Sequence, residues 1–81
     1  MTFLDYNNLS IHEQLQLLMI KGTPIRKMLY SSYKIVLYSF QGFFVEVLYS
    51  TDDNTILDIH AIESEKDWPG FVNRVQLNNQ F

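Results

Sequence analysis

The sequence predicts an α+β fold, one small domain over residues 1–81 built from an N-terminal helix, a three- or four-stranded antiparallel meander sheet and a short C-terminal helix. Three observations carry this prediction. Apolar residues recur at helical spacing near the N-terminus, at Ile11, Leu15, Leu18 and Met19. From Ile25 to Ile62 the pattern changes to β-branched and aromatic runs separated by short turn signals. Helical spacing then returns at Trp68, Phe71, Val72 and Val75.

The first helix is predicted over Ser10–Lys21. Ser10-Ile-His-Glu13 fits a capping box, in which the Ser10 hydroxyl accepts from the Glu13 amide and the Glu13 carboxylate reaches back to Ser10. Gly22 and Pro24 mark its end, since glycine is favoured just past a helix and proline cannot continue one. Arg26–Tyr30 reads either as a separate strand, with Ser31-Ser32 as its turn, or as the start of one long bent strand. Tyr33–Phe40 and Phe43–Tyr49 read as strands, and the intervening Gln41-Gly42 suits a tight hairpin. Ser50–Thr55 is a second turn cluster, in which Asn or Asp takes the positive φ, and Ile56–Ile62 is the next strand. A short helix is predicted over Trp68–Gln76, with Asp67 as its N-cap and Pro69 in the first turn, followed by a frayed tail to Phe81.

Register is testable on paper, because a slip of one residue turns every side chain to the other face. A two-residue loop sets Phe40 opposite Phe43, Tyr38 opposite Val45 and Val36 opposite Val47. Setting Val47 opposite Ile59 and Val45 opposite Ala61 keeps apolar residues together in the next hairpin. One face then carries Val36, Tyr38, Phe40, Phe43, Val45, Val47, Tyr49, Leu57, Ile59 and Ala61, and is expected to be the core. The opposite face carries Tyr33, Ile35, Leu37, Ser39, Phe44, Glu46, Leu48, Ile56, Asp58, His60 and Ile62. A solvated sheet face alternates with polar residues, and this one is too apolar for that. Three coverings are open: the two helices split between the faces, a second copy packs on it, or another protein does.

The chain is 47% hydrophobic and 15% aromatic, with five Tyr, six Phe and one Trp, which excludes a disordered polymer. Cysteine is absent, which excludes disulfides and thiol chemistry. No apolar run approaches the ~18 residues of a membrane span, and Met1–Asn8 lacks the basic start and apolar core of a secretory signal, so a cytoplasmic location is expected. A net charge of −3 and a pI near 5.1 argue against nucleic acid as a partner. Lys21, Arg26, Lys27 and Lys34 nonetheless fall together, and Glu46, Asp52, Asp53, Asp58, Glu63, Glu65 and Asp67 follow. Either the two regions neutralise each other on neighbouring strands, or they give a polar molecule whose basic end meets an acidic partner or a second copy.

The candidate catalytic or metal cluster is Glu46, His60 and Asp58. The register sets Glu46 opposite His60, with Asp58 two residues along the same face. Carboxylate and imidazole side by side suit general acid/base work or metal ligation, but equally a structural cross-strand pair. His12 is expected on the solvent side of the first helix. Tyr30, Tyr33, Tyr38 and Tyr49, with Lys27 and Lys34 near them, would suit a single-strand nucleic-acid platform if they shared one exposed face. No phosphate loop, metal-binding helix motif or nucleophile elbow is present, and no cofactor is expected.

Phe43-Phe-Val-Glu-Val-Leu-Tyr49, Ile56-x-x-Ile59-x-Ala-Ile62 and Phe71-Val-Asn-Arg-Val-Gln-Leu77 together resemble a group of small bacterial α+β proteins with no assigned activity, over about half the chain. The hairpin also resembles the strand pair of the small ribonuclease toxins of toxin–antitoxin systems. Those toxins line their site with Arg and Lys, where this strand has Asp58 and His60. The resulting expectation is a non-catalytic protein that associates, as a homodimer or with a protein partner, through the second sheet face. Tyr33, Ile35, Leu37, Phe44, Leu48 and Ile56 are the expected interface. The alternatives are a small enzyme or metal-binding protein using Glu46, Asp58 and His60, or a nucleic-acid-binding regulator.

Overall fold

A four-stranded antiparallel sheet with strand order β1-β2-β3-β4 organises the chain, its strands spanning Thr23–Leu29, Tyr33–Phe40, Phe43–Ser50 and Ile56–Ile62. The structure is a computed structural model and describes residues 1–70. Two helices, α1 (Phe3–Asn7) and α2 (Ile11–Lys21), precede the sheet, and a 3-10 turn (Glu65–Asp67) follows it. The α+β meander is therefore as predicted, with β1 a separate fourth strand. The predicted C-terminal helix lies outside the described residues beyond Gly70. At its expected first residue, Trp68, the backbone is extended (φ −82°, ψ 133°), because the residue before proline is driven from the helical region.

The caps predicted for α2 and the turns predicted on either side of β3 form, whereas Asp67, the expected N-cap of the C-terminal helix, is instead the last residue of the 3-10 turn. Ser10 and Glu13 make the reciprocal capping box of α2, at 3.2 Å and 3.1 Å. Gly22 ends α2 with its N–H on the Leu18 carbonyl, and a Cβ there would lie 2.6 Å from that oxygen. Gln41 (φ 49°) and Gly42 (φ 87°) both take positive φ, as a two-residue hairpin of primed type requires. Asn54 (φ 63°) takes it in the second turn.

Helix α1 was not predicted. It carries its own capping box, Thr2-Phe-Leu-Asp5, with the Asp5 N–H on Thr2 Oγ1 and the Thr2 N–H on Asp5 Oδ2. The bonds to Thr2 hold the Asp5 carboxyl below its ordinary pKa. The helix matters because Tyr6 is fully buried and its hydroxyl donates to the Gln14 carbonyl at 2.7 Å, while Gln14 Nε2 returns a bond to the Tyr6 carbonyl at 3.0 Å. This exchange rotates α2. Gln14 and Leu18 face the core, whereas Ile11 and Met19, assigned to the buried stripe by spacing, are exposed.

Both helices lie on one face of the sheet. There Tyr6 and Leu18 pack with Phe40, Phe43, Val45, Val47, Ile59 and Ala61. Tyr6, Phe40 and Phe43 form a mutual aromatic triad with ring centroids 5.3–5.9 Å apart, each pair tilted or edge-on, the arrangement that aromatic quadrupoles favour.

The pairings predicted for β2–β3 and for Val45, Glu46 and Val47 against Ala61, His60 and Ile59 are all present. The register then shifts. Leu48 opposes Asp58 but Tyr49 opposes Ile56, so Leu57 is an extra residue on β4. This corrects two assignments: Ile56 packs with Tyr49 on the helix-covered face, and Leu57 is 55% exposed.

Candidate functional site

None of the six expected interface residues is exposed. Ile35 and Leu37 are fully buried, Leu48 is nearly so, and Tyr33 and Phe44 are partly buried, while Ile56 lies on the other face. Whether the expected C-terminal helix shares in this covering lies outside the described residues. Among the described residues, Ile35 and Leu48 are covered by Trp68 and by Tyr30 and Tyr33, whose rings stack at 4.5 Å. The centre of the second face, at Ile35, Leu37 and Leu48, is thus buried within one chain.

Glu46, central on that face, is fully buried. Its Oε1 lies 3.4 Å from His60 Nε2, and its Oε2 accepts the N–H of Gly70. The carboxylate therefore ties the chain beyond β4 down onto the sheet. Gly70 must approach closely to do this, since a Cβ there would lie 3.1–3.2 Å from both Glu46 oxygens and from His60 Nε2. No spacing rule links Gly70 to Glu46, so this partner was invisible in the sequence.

Asp58 and His60 line an open groove of about 840 Å³ beside β4, with Phe3 and Asn7 of α1 on one side and Lys66, Asp67, Trp68 and Gly70 on the other. Glu46 lies beneath it rather than in its wall. Asp58 Oδ1 accepts its neighbour's N–H, from Ile59, at 2.8 Å. The register thus brings the three suspected residues together on one face, but the geometry makes Glu46 a buried clamp. Among the described residues no group of three His, Cys, Asp or Glu is arranged to hold a metal ion. His12 is exposed as expected.

The tyrosines do not form one platform. Tyr30 and Tyr33 stack over the second face, whereas Tyr38 and Tyr49 join hydroxyls at 2.9 Å on the first. Lys34 sits 5.1 Å from the Tyr49 ring centre, a cation–π contact. Of the basic and acidic stretches, Lys34 on β2 and Glu46 on β3 sit on neighbouring strands, whereas β1 and β4 are opposite edges of the sheet. Among the described residues the two stretches meet at an exposed ion pair, Arg26 with Glu65.

Exposed apolar residues lie on the helical layer as well as on β1, at Ile25, Met28 and Leu29, and at Leu57 of β4. Met19 and Ile20 are 84% and 76% exposed, and Met1 and Leu4 also face solvent. Beside them Met1, Leu9, Glu13, Gln16 and Leu17 border a hollow of about 630 Å³. No described helix is long and apolar enough to cross a membrane. Comparisons with family models, curated proteins and solved structures give no match to this chain.

Proposed function

We propose that this chain is a non-catalytic binding protein that acts by association, its surface being the outer side of α2 and its first partner a second copy of itself. The observation that carries this reading is the adjacent exposure of Met19 and Ile20 at the rim of a hollow lined by Met1, Leu9 and Leu17. Contiguous apolar surface on a small soluble chain marks an interaction site. A protruding pair beside an apolar hollow is also self-complementary under two-fold symmetry, since each copy's pair can seat in the other's hollow. The chain's small size adds to this, because small domains bury a modest share of their surface alone. The resemblance to small bacterial proteins without assigned activity belongs to the same reading.

The test is solution mass by light scattering, on the unchanged chain and on M19E/I20E. A dimer that becomes a folded monomer in the double variant is the expected result. Both side chains are exposed, so the variant keeps its fold, which circular dichroism checks. A monomeric parent at about 100 μM, a concentration well above the micromolar dissociation constants of ordinary weak complexes, overturns the reading.

A further inference from the structure

The two edges of the sheet are finished differently. On the outer edge of β4, Asn7 acts as a strand surrogate: its Nδ2 donates to the Ala61 carbonyl at 3.0 Å and its Oδ1 accepts the Ala61 N–H at 2.7 Å. Helix α1 thereby caps that edge at Ala61, and covering an edge in this way is a common protection against strand addition. The β1 edge has no such cover among the described residues, and all seven residues of Thr23–Leu29 are exposed. Pro24 has no N–H, and the register slips between Pro24 and Arg26, so the regular part of the edge is Arg26–Leu29.

Charge indicates what this edge takes. Between Glu13 and Glu46 the sequence contains no acid, and Lys21, Arg26, Lys27 and Lys34 all fall in that interval. The alternation places Arg26 and Met28 opposite Leu37 and Ile35, and Lys27 opposite Val36 on the other face. Two copies joined edge to edge would gather Arg26 and Lys27 twice over on a ladder four residues long, where like charges repel. An acidic strand would meet Lys27 on one face and, on the other, Arg26, which it would share with Glu65.

We infer that the Arg26–Leu29 edge of β1 binds an extended acidic segment of a partner protein by strand addition. Main-chain hydrogen bonds supply affinity in that mode, and alternate side chains supply specificity. Run antiparallel to β1, the segment reads apolar, apolar, acidic, acidic, so that its acids reach Lys27 and Arg26 and its apolar residues lie beside Leu29 and Met28.

The test uses the full chain and two labelled peptides, Thr-Val-Ile-Glu-Asp-Thr and its counterpart with Lys-Lys for Glu-Asp. Fluorescence anisotropy reads binding, and amide hydrogen exchange reads its location. The acidic peptide is expected to bind and to slow exchange at Arg26–Leu29. K27E, which sets a like charge against the peptide's acids, is expected to weaken it by about tenfold, while M19E/I20E leaves it unchanged. No binding, equal binding of the lysine peptide, binding without protection of the β1 amides, or protection of those amides by a second copy without peptide would each overturn the inference. Because M19E/I20E alters only the α2 surface, failure of that dimer and failure of the β1 edge are read separately.

Discussion

The two faces of the sheet are both buried at their centres, yet they are closed by different physics. The helix-covered face is apolar throughout its buried centre, from the aromatic triad of Tyr6, Phe40 and Phe43 to Val45, Val47, Ile59 and Ala61. The other face is a smaller cluster of Ile35 and Leu48 under Trp68, Tyr30 and Tyr33, with the fully buried Glu46 beside it. One is held by burial of area. The other adds a carboxylate that grips a backbone amide from the segment after β4. An apolar sheet face therefore does not announce an interface: a short return of the same chain can cover it, provided something fixes that return in place.

The largest expected effect separates an interior face from an exposed one. Leu48→Asp removes a buried leucine and puts a carboxylate in its place, so it is expected to cost at least about 3 kcal/mol and to leave the chain largely unfolded. Leu57→Asp, on the same strand pair but exposed through the register shift, is expected to change stability by no more than about 0.5 kcal/mol. Urea denaturation of both variants measures the difference. Equal, small effects would mean that the second face is open.

Removal of the clamp comes next. Glu46→Ala leaves the Gly70 N–H without its acceptor and takes the carboxylate from His60, an expected loss of about 1–3 kcal/mol. Its signature is local. Trp68 fluorescence should shift toward that of a solvated indole before the β2–β3 amides lose protection, whereas damage to the aromatic triad should release both together.

The smallest effect is on pH and belongs to the helix-covered face. Burial raises the Tyr6 pKa, and burial followed by the Tyr38 hydroxyl contact raises that of Tyr49. Both phenols hold their protons more tightly when folded, so their contribution to stability is complete below the ordinary tyrosine value of 10.0. It is lost as pH rises above that value, because the unfolded chain ionises first. Thermal melts from pH 8 upward should be flat and then fall beyond about pH 10. Tyr6→Phe should flatten part of that fall, and an unchanged profile would remove Tyr6 from the account.

Much of the fold was legible because it rests on local chemistry. The Ser10–Glu13 capping box, Gly22, the Gln41-Gly42 hairpin and the positive φ at Asn54 are signals confined to a few residues. The hairpin then propagates register, so the Glu46–His60 pairing was also readable. Helix α1 was missed although Thr2-Phe-Leu-Asp5 repeats the capping logic of α2, its five residues being too short to show an apolar stripe. The candidate site was half legible. Its strand pairing followed from turn geometry, but Gly70, which makes Glu46 a clamp, lies 24 residues away.

The sequence alone determined where α2, β2, β3 and β4 begin, which turns join the last three, and which residues of β2 and β3 share a face, since backbone sterics and caps act over a few residues. Only the tertiary structure decided which side of α2 is buried, because the Tyr6–Gln14 exchange outranks the stripe containing Ile11 and Met19. It also decided that Leu57 is extruded in favour of Ile56, and that the second face is closed from within. Each of these is a choice between burials of similar apolar area. Such choices are settled by contacts between residues far apart in the chain, which no local pattern encodes.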